Sequence, residues 1–421
     1  MDKFIIHGGI ELKGTVKISG AKNATLALMP AALLASGESV LHNTPQLNDV
    51  YTMSKLLKQL GAEIQFEDQV LKINSATVNN QTAPYEHVKK MRASVYVLGP
   101  LLTRYGYAKV SLPGGCAWGP RPINLHLEGL KKLGAEVELD GGYIIVKANR
   151  LHGAKINFDK SSVGATGNIL MASVLAKGTT IINNAAMEPE ITNLVNFLLK
   201  MGANISGINT SILEIEGVEE LHPAEIETIP DRIEAGTLLI AAAITKGNIL
   251  IHGGIDAHLY AVLSKLEDSG MNVEVLGNDI RIDARNICPK SIDISTGIFP
   301  GFPTDMQAQW LALMSIADSV SSVTDTIYTD RFSHVPELVR LGADISVQDN
   351  SAIIKGVNKL QGAKVMSTDL RASASLVLAG LAAEGVTEVL RVYHLDRGYQ
   401  RLEEKLRLLG ADIERVAGQE F

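Results

Sequence analysis

Two rhythms of apolar residues alternate along the chain. Stretches such as VGATGNILMASVLA and RIEAGTLLIAAAIT are apolar on nearly every side, which predicts helices buried inside a domain. Between them run short β-branched segments such as TTIINN and ILEIEG, which predict strands. Around Gly202 the order is strand KINF, helix VGATGNILMASVLA, strand TTIINN, helix ITNLVNFLLKM, then strands NISG and ILEIEG, a βαβαββ unit.

The unit recurs. QLGAEIQF, KLGAEVEL, KMGANISG, DSGMNVEV, RLGADISV and LLGADIER each end a helix in glycine and enter a strand at once. The glycines are Gly61, Gly134, Gly202, Gly270, Gly342 and Gly410, at intervals of 73, 68, 68, 72 and 68 residues. Glycine suits that point because it takes the left-handed conformation that closes a helix without a side-chain clash. Buried first helices recur at NATLALMPAALLA, RASVYVLGPLLTR, RIEAGTLLIAAAIT, TDMQAQWLALMSIA and RASASLVLAGLAA. The fold class is therefore α/β, with six repeats, three per domain.

The last repeat, LLGADIERVAGQEF, supplies one strand and stops. FIIHGGIELKGTVKISGAKNA parallels YIIVKANRLHGAKINFDKSSVGA, so residues 1 to about 20 are expected to complete the sixth unit. One domain then spans 22–229, and the second joins 1–21 to 230–421. The crossings near Ser19 to Lys22 and Thr228 to Arg232 form a natural hinge.

Bulk composition narrows the function classes. With 39 Lys plus Arg against 46 Asp plus Glu the net charge is -7, which argues against a general nucleic-acid or membrane-surface binder. Any anionic ligand must meet a local cluster of cations. The start, MDKFIIHGGIELKG, has no signal-peptide pattern, and no apolar run approaches the roughly 20 residues of a membrane span. Two cysteines, Cys116 and Cys288, in a chain without an export signal point to reduced thiols in the cytoplasm. The ten histidines lack metal-ligand spacing, so no metal is expected.

The repeat superposes six first-helix starts, and their residues are unusual for buried helices: Lys22 and Asn23, Arg92, Lys160 and Ser162, Asp231 and Arg232, Asp305, and Asp369 with Arg371. Helix N-termini attract anions, so cations placed there imply a bound anion. Arg121, Arg331 and Arg397 lie near second-helix starts, and a cleft between the domains is expected to hold phosphates or carboxylates. The alternative is ordinary ion pairing of these arginines with Asp231, Asp369, Asp330 and Asp396.

Both long intervals carry unusual loops. SLPGGCAWGPRPINLH holds Cys116 five residues from Arg121, among three glycines that argue against packed burial and for a reactive thiol. Cys288 reads as structural. STGIFPGFPTDMQAQ places Asp305 after a Gly/Pro-rich turn, where it suits a helix cap or a catalytic base equally.

At these residues the chain resembles the enolpyruvyl transferases. The resemblance rests on SGAKNA, KMRAS, PGGCAWGPRPINLH, SSVGAT, IPDRIEAGT, FPTDMQAQ, DLRASASLVLAGLAA and YHLDRGYQRLEEKL, and covers essentially the whole chain. It implies an inside-out α/β barrel in each domain. The implied reaction joins phosphoenolpyruvate to UDP-N-acetylglucosamine, releases phosphate and begins peptidoglycan synthesis, with no cofactor and no obligate protein partner.

By the family's motifs, Lys22, Arg121 and Arg397 hold phosphoenolpyruvate, and Asn23, Arg92, Lys160, Ser162, Val163, Asp305 and Ile327 the sugar nucleotide. Pro122, Ile123, Asn124, Leu125, Gly164 and Arg371 are further substrate contacts. Cys116 would be the general acid, and also the thiol that adds covalently to phosphoenolpyruvate and reacts with the epoxide fosfomycin. Asp305 would be the base, supported by Asp369 and Arg331. Trp118, Asn124 and Met187 depart from the residues common in the family. The rivals are the shikimate-pathway enolpyruvyl transferase, which lacks a cysteine in this loop, and a catalytically silent sugar-nucleotide-binding paralogue.

Overall fold

The computed structural model describes residues 2–89, 91–112 and 123–417. The chain divides into two compact units, Gly20–Ile229 and Met1–Ser19 with Pro230–Phe421. Each contains three four-stranded sheets of one design. In one of them Lys155–Asn157 runs parallel to Thr179–Asn183, which is antiparallel to Ile212–Glu216, itself antiparallel to Asn204–Ser206. A parallel step needs a crossover, and here the helix Val163–Ser173 supplies it. Along Ile212–Glu216 the alternation buries Leu213 and Ile215 and exposes the residues between.

The first helices fill the interior. Within one unit Arg232–Ile244, Gln307–Met314 and Leu370–Ala382 pack against one another, with nearly every side chain buried. In the other, Val163–Ser173 packs on Leu98–Tyr105, and the turn Arg92–Val97 touches both Val163–Ser173 and Lys22–Ala31. Helices inside and sheets outside make each unit an inside-out α/β barrel. Two first helices begin as 3-10 turns, at Arg92–Val97 and Thr304–Met306, each preceding a short α-helix. All six helix-ending glycines have φ between 91° and 102°. At Gly202 the next amide, that of Ala203, reaches back to Leu198 O at 2.9 Å, closing the helix in the Schellman manner.

The N-terminal arm serves two units of the repeat, where the sequence pattern assigned it to one. Lys3–His7 lies antiparallel between Val386–Leu390 and Asp412–Val416 and completes the sixth. Lys13–Lys17 instead pairs parallel with Asn248–His252 and opens the fourth. Correspondingly, Glu225–Glu227 pairs parallel with Glu38–His42 and opens the first. Each barrel therefore receives a strand from chain about to leave it, and one crossing balances the other. The end of the arm is held by Ser19, whose amide donates to Glu234 at 2.9 Å and whose hydroxyl accepts from Lys405 at 2.7 Å, while Lys405 also pairs with Glu234. No helix among the described residues is long and apolar enough to cross a membrane.

Candidate active site

In the unit that contains Pro230–Phe421, three charged side chains meet at Asp305. The expectation that Asp305 caps its helix fails: the 3-10 turn Thr304–Met306 starts after Pro303 without any side-chain cap. Instead the carboxylate takes Arg331 Nη1 at 2.9 Å and Arg371 Nη2 at 2.8 Å. The arginine side chains are 8% and 5% exposed and that of Asp305 28%. Burial opposes ionisation of Asp305, but the guanidiniums of Arg371 and Arg331 outweigh it and hold the carboxyl far below the usual carboxylate range. Both arginines do form ion pairs, and both converge on the candidate base.

Capping falls to the neighbouring aspartates. Asp231 accepts from the amides of Ile233 and Glu234, and Asp369 from those of Arg371 and Ala372, each opening its own helix. Arg371 lies over the ring of Tyr399, 5.3 Å from its centroid. Gln309 Nε2 donates to Asp305 O at 3.0 Å and to the Tyr399 hydroxyl at 3.1 Å, so the Asp305 backbone is tied to the barrel core. Arg397 ends the 3-10 turn Val392–Arg397 and is half-buried. Ile327 is exposed.

In the Gly20–Ile229 unit, Lys22 opens the helix Lys22–Ala31, whose first turn has neither an acidic residue nor a side-chain cap. Its ammonium pairs with Asp49 at 2.9 Å, with side chains only 12% and 6% exposed. Asp49 offsets the repulsion between the lysine and the helix dipole. Sequence reasoning missed it, because an acid in the first turn of Asn48–Gln59 looks like ordinary dipole compensation. Asn23 and Lys160 are exposed, and Arg92 begins its 3-10 turn. Ser162 caps Val163–Ser173 by accepting from Ala165 N at 3.3 Å, with Val163 and Gly164 half-buried beside it. Ile123, Asn124 and Leu125 form the start of the helix Asn124–Lys132.

His126, on that same helix, also escaped the sequence reading. Asn168 Oδ1 accepts from Gly99 N at 2.7 Å, and its amide group donates to Val95 O and to His126 Nδ1, both at 3.0 Å. The imidazole therefore carries its proton on Nε2. Burial, assisted by Arg92, lowers its pKa from 6.5 to about 4. The unfolded chain takes up this proton as pH falls through 6.5 while the folded chain does not, so stability falls on acidification. By pH 5 this histidine costs about 2 kcal/mol. We expect His126→Gln to shrink the drop in thermal midpoint between pH 7 and pH 5; an undiminished drop would assign the acid sensitivity elsewhere.

Cys116, Arg121 and Pro122 lie outside the described residues. Cys288, read from sequence as structural, is exposed, because it follows the half-buried Ile287 in the loop after Asp279–Asp283 and turns to solvent.

The family model described as EPSP synthase (3-phosphoshikimate 1-carboxyvinyltransferase) matches residues 6–406. Curated proteins named UDP-N-acetylglucosamine 1-carboxyvinyltransferase are similar over their full length. That of Chloroherpeton thalassium is 59% identical, covering 100% of this chain and 99% of its own, and that of Chlorobium chlorochromatii is 54% identical over 100% of both. Among solved structures, the enolpyruvyl transferase NikO from Streptomyces tendae matches with a TM-score of 0.91 at 26% identity over 99% of both chains. An EPSP synthase from Acinetobacter baumannii shares the fold, with a TM-score of 0.77 at 17% identity over 99% of this chain and 100% of its own.

Proposed function

The chain belongs to the EPSP synthase family of enolpyruvyl transferases, and we infer that it transfers the enolpyruvyl group of phosphoenolpyruvate to the 3′-hydroxyl of UDP-N-acetylglucosamine, releasing phosphate. The observation that carries the choice of acceptor is the identity of 59% and 54% over whole chains to proteins named for that substrate. The product begins peptidoglycan synthesis, and the reading places the enzyme in the cytoplasm.

The reaction adds the sugar hydroxyl to C2 of the enol while a proton goes to C3, giving a tetrahedral intermediate. Loss of phosphate from C2 and of a proton from C3 then yields the enolpyruvyl ether. Such an addition needs an acid at one carbon and a base at the entering hydroxyl. The reading gives the acid to Cys116 and the base to Asp305, with Asp369 and Arg331 supporting. Lys22, Arg121 and Arg397 hold phosphoenolpyruvate. Asn23, Arg92, Lys160, Ser162, Val163 and Ile327 take the sugar nucleotide, alongside Pro122, Ile123, Asn124, Leu125, Gly164 and Arg371.

The ion pairs at Asp305 impose an order of events on this scheme. A carboxylate gripped by two guanidiniums is a poor proton acceptor. It gains basicity only as Arg331 or Arg371 exchanges it for another anion, and both substrates bring anionic groups. Base strength is thus coupled to substrate arrival. A phosphate-release assay with both substrates tests the function: phosphate is expected only when both are present. Absence of release would end the enzyme reading, and release with 3-phosphoshikimate in place of the sugar nucleotide would end the assigned specificity.

A further inference from the structure

Behind the Arg331–Asp305 pair lies a carboxylate that the reaction scheme does not use. Asp325 is fully buried, 0% exposed. Its Oδ1 accepts from Thr296 Oγ1 at 2.8 Å and from the amides of Ile327 and Tyr328, both at 2.9 Å. Its Oδ2 accepts from Thr304 Oγ1 at 2.7 Å. Thr304 in turn accepts from Arg331 Nη1 at 3.0 Å, the same nitrogen that pairs with Asp305. One carboxylate thus joins the strand end at Thr296, the turn that carries Ile327, and the residue next to Asp305.

We propose that Asp325 is a positioning residue for the transfer reaction, acting through the Thr304 hydroxyl to orient Arg331 and with it the Asp305 carboxylate, an inference that rests on Asp305 being the base. The argument is one of hydrogen-bond polarity. A hydroxyl has one hydrogen, and an ionised carboxylate only accepts. Asp325 therefore takes the Thr304 hydrogen and leaves the oxygen lone pairs facing Arg331. Nη1 of Arg331 thus faces both Thr304 and Asp305, which fixes the plane in which the base is gripped. Asp325 and Arg331 are both buried, so a partner lost at either is not readily replaced by water.

Asp325→Asn isolates this link. Three donors converge on Oδ1 and one on Oδ2, so the asparagine oxygen stays at the three and its NH2 is placed at Thr304. That nitrogen donates where the carboxylate accepted, and the Thr304 hydrogen loses its acceptor. The turn at Ile327 keeps its hydrogen bonds. Expected results are a fall in kcat of roughly 10- to 100-fold, as for other displaced catalytic groups, with KM for the sugar nucleotide within about twofold.

Thr304→Val, which removes the hydroxyl at nearly constant volume, is expected to give a similar fall, while Thr304→Ser stays near wild type. Because the two residues act in series, Asp325→Asn in the Thr304→Val background costs little more. Multiplying losses, an unchanged kcat in Thr304→Val, or a fall only in thermal midpoint would each overturn the inference. Asp305→Asn separates the two levels: if it retains wild-type kcat the base assignment fails, and the positioning inference fails with it. If it is impaired while the Asp325 and Thr304 variants turn over normally, only the positioning inference fails.

Discussion

Asp305→Asn is expected to lower kcat for phosphate release by about 10²- to 10⁴-fold, the range over which a positioned general base contributes. The substitution keeps the size of the side chain and an acceptor oxygen but removes the charge that takes the proton. It also leaves Arg331 and Arg371, whose side chains are 8% and 5% exposed, facing a neutral amide. Breaking one side of such a pair costs about 3–5 kcal/mol where it is buried, so the thermal midpoint is expected to fall as well. Binding should be spared. On this reading phosphoenolpyruvate is held by Lys22, Arg121 and Arg397, and calorimetry of the variant is expected to show it bound about as tightly as by the wild type. Loss of turnover with retained binding is the signature of the base. A variant within about tenfold of wild-type kcat would remove Asp305 from that role.

Cys116→Ser carries the second large expectation. A thiol ionises near 8.5 and passes a proton far more readily than a serine hydroxyl, so turnover is expected to fall by about 10²- to 10⁴-fold. Labelling by fosfomycin should vanish entirely, because the epoxide needs a thiolate. Cys288 supplies the internal control, being the other cysteine of the chain and exposed. Cys288→Ser is expected to keep full turnover and full labelling. Mass spectrometry that finds the adduct on Cys288, or undiminished labelling of Cys116→Ser, would move the reactive thiol out of the GGCAWGPRP loop.

Much of the architecture was legible because it is written in local repetition. The apolar run RIEAGTLLIAAAIT can only be a buried helix, and Gly61 and its five counterparts close helices with the positive φ that glycine favours. The strand exchange between Lys13–Lys17 and Glu225–Glu227 was not legible. Both segments read as strands that precede a buried helix, and nothing local says which sheet each will join.

The candidate site divides along the same line. Asp305 drew notice as a carboxylate where other helix starts carry cations, and its role as cap or base stayed open. The ion pairs exclude the cap, since the carboxylate is turned to Arg331 and Arg371. Asp49, His126 and Asp325 left no mark in the sequence, because each looks like a common residue until its partner is known.

By itself, then, the sequence determined the repeat, the helices and strands, and the chemical inventory, all of them legible within the span of one folding unit or by comparing one unit with the next. Tertiary structure alone decided which charges meet. Asp305 and Arg371 are 66 residues apart, and with Arg331 they come from three separate parts of the chain, a 3-10 turn, a buried helix and a loop. Their distances are set by the closing of helices and sheets into one barrel, a cooperative outcome of burying every apolar face at once that no local pattern encodes.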